Sequence, residues 1–140
     1  MINKEVVYNR IDMINRSTTR LKSLAALPRT QFSSDPDNFA IAEHHLRRAL
    51  ESLFDIGRHI MAKQGLGHPV DYQSIILTFA KEKIIPEEFA VRIKGIAGYR
   101  NRLVHGYAEV TPDEMHHIIE NRLADFEDFC KYVLKYISLT

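Results

Sequence analysis

The sequence predicts an all-α protein: one domain over residues 1–140, folded as an up-and-down bundle of four long helices and one short one. Three observations predict this. Apolar residues recur at helical spacing along five segments, and nowhere do apolar and polar residues alternate as in a half-buried strand. Helix-opening residues stand at the head of three of those segments. Only 6 glycines and 5 prolines interrupt 140 residues, so long stretches of regular structure are available.

The first helix is expected from about Asn3 to Leu27, with Val7, Ile11, Ile14, Leu21 and Ala25 on one face and Thr18 filling the gap. Pro28 ends it, because proline cannot continue the hydrogen-bond ladder. Residues 28–37 read as a loop that finishes in a helix start: Asp35 as N-cap, Pro36 at the first helical position, Asp37 in the first turn. The second helix runs to about Gln64 on a long stripe from Phe39 through Leu46, Leu50 and Leu53 to Ile60. Gly57 lies inside that stripe. Glycine there costs roughly 1 kcal/mol against alanine, which makes sense if another helix approaches closely.

Gly65-Leu66-Gly67-His68-Pro69 breaks the chain. Tyr72, Ile75, Ile76, Phe79 and Ala80 then predict a short helix ending near Lys83. Pro86, Glu87 and Glu88 open the fourth helix, its acids complementing the positive end of the helix dipole. Its stripe is Phe89, Ile93, Ile96, Arg100, Leu103 and Tyr107, and Gly106 stands where a C′ residue is expected. Thr111-Pro112-Asp113-Glu114 is a capping box with proline at N1, opening one last helix whose inward face runs from Met115 through Phe126 and Cys130 to Ile137.

Composition narrows the function classes. A formal net charge of +1 gives no global basic field, so nucleic-acid contact must come from a local cluster. The N-terminus lacks a signal-peptide profile and no apolar run approaches the roughly 20 residues that span a bilayer, so a cytoplasmic protein without membrane contact is expected. The lone Cys130, set among Phe126, Phe129 and Val133, reads as a small buried hydrophobe. His44-His45 and His116-His117 are adjacent pairs that point about 100° apart on a helix. With no paired cysteines and no His-Glu-x-x-His, no metal site is expected, and no nucleotide-cofactor loop is present.

Chemistry concentrates in Tyr99-Arg100-Asn101-Arg102-Leu103-Val104-His105-Gly106-Tyr107. Arg100 occupies a position that the stripe reserves for an apolar residue. Either its stem packs inward while the guanidinium pairs with an acid such as Glu51, or the guanidinium points into a cleft and holds phosphate bidentately. Asn101 and His105 are four apart and share a helix face. Arg100 and His105 are five apart, about 140° around an ideal helix. They converge on one substrate only if the helix end unwinds or a second chain closes the site. An imidazole can take the proton of a 2′-hydroxyl and a guanidinium can stabilise a phosphorane, so these groups suit metal-independent RNA cleavage. Arg102, Arg47 and Arg48 either extend a phosphate-binding surface or form solvated basic faces.

Arg100-Asn101-Arg102-Leu103-Val104-His105-Gly106-Tyr107 resembles the R-x4-H-x-Y signature of HepT-type toxins, within the HEPN superfamily of helical ribonucleases. Chain length, the long second helix and the motif near the end of the penultimate helix also fit a HEPN-like fold. The resemblance implies that Arg100 and His105 are catalytic, assisted by Asn101, in an endoribonuclease that needs no cofactor. It further implies a homodimer whose two motifs face one cleft, within a type VII-like toxin–antitoxin module. The antitoxin of such a module is a minimal nucleotidyltransferase, MntA, which transfers AMP onto the motif tyrosine, here Tyr107. The alternative is a non-catalytic helical subunit that binds nucleotide or substrate for a nucleotidyltransferase, with Tyr107 as a packing aromatic. Tyr99, off the signature, reads as packing.

Overall fold

Helix α1 (Lys4–Ala25) begins at Asn3, whose side chain accepts the Val6 amide, and α2 (Arg29–Ser34) follows directly after Pro28. Next come α3 (Pro36–Lys63), α4 (Tyr72–Lys81), α5 (Glu87–His105), α6 (Pro112–Asn121) and α7 (Leu123–Ser138). This computed structural model describes the backbone of residues 1–105 and 110–140 and the side chains of residues 1–103 and 110–140. The described residues are all-α, as the sequence predicts, but the helices number seven rather than five.

Two local features account for the difference. The stretch after Pro28 turns helical for six residues and buries Phe32 completely against the His116 ring, at 5.1 Å between centroids. One apolar residue in six gives no periodicity to read. The last helix is interrupted at Arg122, which caps α6 through its amide on the Ile118 carbonyl and starts α7 through its own carbonyl. The Arg122 side chain donates to the Arg92 carbonyl at 2.6 Å and to Asp125 at 3.0 Å. A side chain added at Gly95 would meet this guanidinium at 3.4 Å. The apolar stripe runs on through the break, and for that reason the pattern reads as one helix.

The core forms as the stripes predict. α1 packs along α3 through Val7, Ile14 and Leu21, and Thr18 fills its gap with the hydroxyl turned back to the Asn15 carbonyl. Gly57 is where α4 crosses α3: a Cβ there would run into Ile75 Cγ2. The close approach anticipated at Gly57 is therefore real, and it sets how α4 lies over the middle of α3. α4 opens with a capping box between Asp71 and Ser74 and closes on Lys83, held at φ 59° where glycine is usual. The Ile84 amide reaches the Phe79 carbonyl at 2.8 Å and buries its side chain beneath that turn.

α5 runs antiparallel to α3. Near its start, Phe89 meets Tyr132 of α7, and Tyr136 of the same helix accepts from Gln64 at the C-terminus of α3. Towards its other end, Arg102 reaches Glu114, one residue from Asp113, which Ser33 holds just before α3 begins. The second half of α5 is laid across the middle of α3, where Arg100 meets Glu51, with α4 alongside.

Candidate functional site

Phe89, Ile93, Ile96 and Ala97 are buried, so the stripe that fixes α5 carries Arg100 inward at the next turn. Its side chain is 21% exposed. The guanidinium Nε donates to Glu51 Oε1 of α3 at 2.5 Å, and its carbon lies 4.6 Å from the centre of the Tyr72 ring of α4. The first of the two alternatives is the one seen: Arg100 pairs with Glu51, and does so at the border of the bundle rather than within it.

Tyr72 is itself pinned. Phe54 lies beneath it at 3.8 Å between centroids, and Arg58 stands 5.6 Å from its centre while pairing with Asp55 at 2.5 Å. Asp55 in turn accepts from Arg10 of α1 at 3.1 Å. Glu51, Asp55 and Arg58 are spaced along one face of α3, which makes that face a charged rail under the motif.

Asn101 is exposed on the adjoining face of α5. With Asp71, Tyr72, Gln73, Ala97 and Gly98 it lines a shallow pocket of about 240 Å³. Tyr72 therefore touches both Arg100 and the pocket of Asn101. Nothing in the sequence singled it out, because its role depends on α4 crossing α3 at Gly57. The backbone of His105 is the last described position of α5. The His105 side chain, together with Gly106 and Tyr107, lies outside the described residues.

Arg102 gives both terminal nitrogens to Glu114, at 2.6 and 2.8 Å, and stands 5.6 Å from the Tyr99 ring. The hydrogen bond from Arg102 is the chief reason that the Glu114 carboxyl titrates below its ordinary range. Tyr99 packs against the core, as expected. Arg47 is half-buried and Arg48 exposed, and among the described residues neither forms an ion pair. Burial holds the His45 imidazole below its ordinary pKa, and the positive charges of His44, Arg20 and Arg48 lower it further.

The remaining singled-out groups are structural. Cys130 is buried and its thiol is pushed up to about 12, mainly by burial. His116 faces inward with Nε2 at 2.8 Å from the Leu27 carbonyl, whereas His117 is exposed, so the pair diverges as adjacent helical residues do. Among the described residues no group of His, Cys, Asp and Glu could hold a metal ion, and no helix is long and apolar enough to cross a membrane.

Among the described residues, an all-α bundle of seven helices that carries the start of the Arg-x4-His motif on its fifth has the fold of HEPN-type proteins. The family described as ribonuclease HepT-like matches residues 14–133, and the chain belongs to that family. An mRNA nuclease HepT from Shewanella oneidensis is 29% identical over 128 residues, covering 89% of this chain and 93% of that protein. A tRNA nuclease HepT from Aphanizomenon flos-aquae is 24% identical over 132 residues, covering 94% and 90% respectively. Among solved structures, the tri-AMPylated Shewanella oneidensis HEPN toxin in complex with MNT antitoxin superposes with a TM-score of 0.85 at 28% identity, over 93% of this chain and 97% of that one.

Proposed function

We propose that the chain is the toxin of a two-component module, an endoribonuclease that cuts RNA by internal attack of the 2′-hydroxyl. The observation that carries this reading is the family match, which spans the whole Arg100–Tyr107 motif, together with the anchored guanidinium of Arg100 at the motif's start. His105 takes the 2′-hydroxyl proton, the oxygen attacks the adjacent phosphorus, and the bond to the 5′-oxygen breaks as that oxygen takes a proton from water, to which the His105 imidazolium returns its own. The products are a 2′,3′-cyclic phosphate and a 5′-hydroxyl. Arg100 offsets the charge that builds on the phosphorane oxygens, and the amide of Asn101 holds substrate beside it. The step needs no metal, because the cation is supplied by the chain.

Two chains complete the site as a homodimer, since about 140° separates Arg100 from His105 on one ideal helix. Arg47 and Arg48 are placed to take flanking phosphates, and Arg102 does so to the extent that RNA competes with Glu114. A cognate nucleotidyltransferase neutralises the toxin by moving AMP from ATP onto the Tyr107 hydroxyl, with pyrophosphate leaving. The added phosphate charge then competes with RNA for Arg100.

The test is cleavage of total RNA in the presence of EDTA by wild type, Arg100→Ala and His105→Ala. Cyclic phosphate ends from wild type alone are expected. Equal background cleavage by all three, with tight binding of the transferase partner, would instead make the chain a non-catalytic subunit. For Tyr107, intact mass after co-expression with the transferase should rise by one or more AMP units. A gain that survives Tyr107→Phe removes that residue from the account.

A further inference from the structure

Three arginines on α5 engage carboxylates in different ways, and the difference bears on the reaction. Arg102 commits both terminal nitrogens to Glu114. Arg92 is spanned by two acids, Asp125 at Nε and Asp128 at a terminal nitrogen. Arg100 is held by Nε alone, and its terminal nitrogens have no protein partner among the described residues.

We infer that Glu51 is a positioning residue for Arg100, with the Tyr72 ring as the platform on which the guanidinium is laid. The inference rests on the ribonuclease reading of the site. A guanidinium is planar, so fixing Nε by a hydrogen bond and one face by a ring fixes the plane of all three nitrogens. The fork that suits two phosphate oxygens is then set before substrate arrives, and little ordering remains for the transition state to demand. Both supports stand on rigid ground. Glu51 projects from α3 between the buried Leu50 and Ser52, and Tyr72 rests on Phe54, which is fully buried. Gly57 and Ile75 lock α4 onto α3 within one turn of Tyr72.

A carboxylate beside Arg100 also repels the RNA backbone. Removing it should therefore weaken turnover without weakening binding, a split that a merely structural residue does not produce. The experiment is steady-state cleavage of one defined RNA by wild type, Glu51→Gln, Glu51→Ala, Tyr72→Phe and Tyr72→Leu, with His105→Ala as background. Glu51→Gln keeps an oxygen to accept from Nε and Tyr72→Phe keeps the ring, so both should retain kcat within about threefold. Glu51→Ala and Tyr72→Leu should lose about tenfold or more in kcat, Glu51→Ala with KM unchanged or lower. The ¹⁵Nε–¹H signal of Arg100, assigned by its loss in Arg100→Lys, should be sharp in wild type and Glu51→Gln and exchange-broadened in Glu51→Ala.

Wild-type or higher kcat in Glu51→Ala overturns the inference, the higher value making Glu51 a restraint on the enzyme. Equal losses in Glu51→Gln and Glu51→Ala also overturn it. Cleavage by wild type no faster than by His105→Ala sinks the ribonuclease reading instead. In that case an Arg100 Nε–H signal indifferent to Glu51 rejects the clamp as well.

Discussion

Arg92 and Arg100 stand on the same helix and are assembled from the same parts, an aromatic ring and acids from neighbouring helices. The Arg92 guanidinium lies 5.0 Å from the Phe89 ring and reaches Asp125 and Asp128, each at 2.9 Å. Asp125, only 7% exposed, takes Arg122 as well. Positive and negative groups close on each other there, and the cluster ties α5 to the junction of α6 and α7. Arg100 has the ring and one acid, Glu51, whose side chain is 37% exposed. The difference teaches what separates an arginine that braces helices from one that could, on the proposed reading, meet a substrate. Both are anchored, but among the described residues only Arg100 keeps both terminal nitrogens uncommitted.

The largest expected effect tests that contrast directly. Arg100→Ala should lower RNA cleavage by about 10²–10³-fold while changing unfolding free energy by about 1 kcal/mol or less. Arg92→Ala should do the reverse, with turnover per folded molecule intact. If urea denaturation and cleavage assays show the two variants behaving alike, the distinction collapses. Next, Asp125→Ala should cost about 2 kcal/mol in urea unfolding, because two arginines lose a shared, nearly buried acceptor while Arg92 keeps Asp128 and Arg122 keeps the Arg92 carbonyl. A loss well under 1 kcal/mol would mean that solvent already satisfies that cluster.

A smaller effect sharpens the Arg100 side. Gly57→Ala gains helix propensity but drives a methyl into Ile75, for a net cost of about 1–2 kcal/mol. Cleavage should fall with it, since Tyr72 is one turn from Ile75. Full activity in this variant would detach the platform from the crossing that sets it.

The smallest effect concerns the opposite flank of α3. His45 and His59 titrate below the ordinary imidazole value, chiefly because burial disfavours their charged forms. A folded-state pKa below the unfolded one means that the unfolded chain binds more protons in between. The stability they contribute is present above about pH 6.5 and is lost as pH falls through the folded values. Thermal midpoints between pH 7.5 and 5.5 should decline, and more shallowly in His45→Gln/His59→Gln. An identical slope in that double variant would assign the decline to other groups.

Much of the bundle was legible because burial repeats with the helix. Val7 to Leu21, Leu46 to Ile60 and Phe89 to Ile96 all read correctly from spacing, and Gly57 announced a close contact. The break at Arg122 was not legible, since a bend that keeps the apolar face inward leaves the periodicity intact. The turn of helix around Phe32 was too short to show a period. For the site, Arg100 and Glu51 were foreseeable as partners, Arg102–Glu114 and Tyr72 were not. No local rule says which residue of a helix will lie across from another.

By itself, then, the sequence determined the long apolar stripes, their buried faces and the grouping of Arg100, Asn101 and His105 on one segment, because each follows from the 3.6-residue repeat and from residue chemistry. The tertiary structure alone decided what Arg100 faces. Its acid lies 49 residues away on α3 and its ring on α4. Those distances close only through the crossing at Gly57 and the antiparallel lie of α5, and crossings are set by how whole side-chain surfaces interlock rather than by any one stretch of chain.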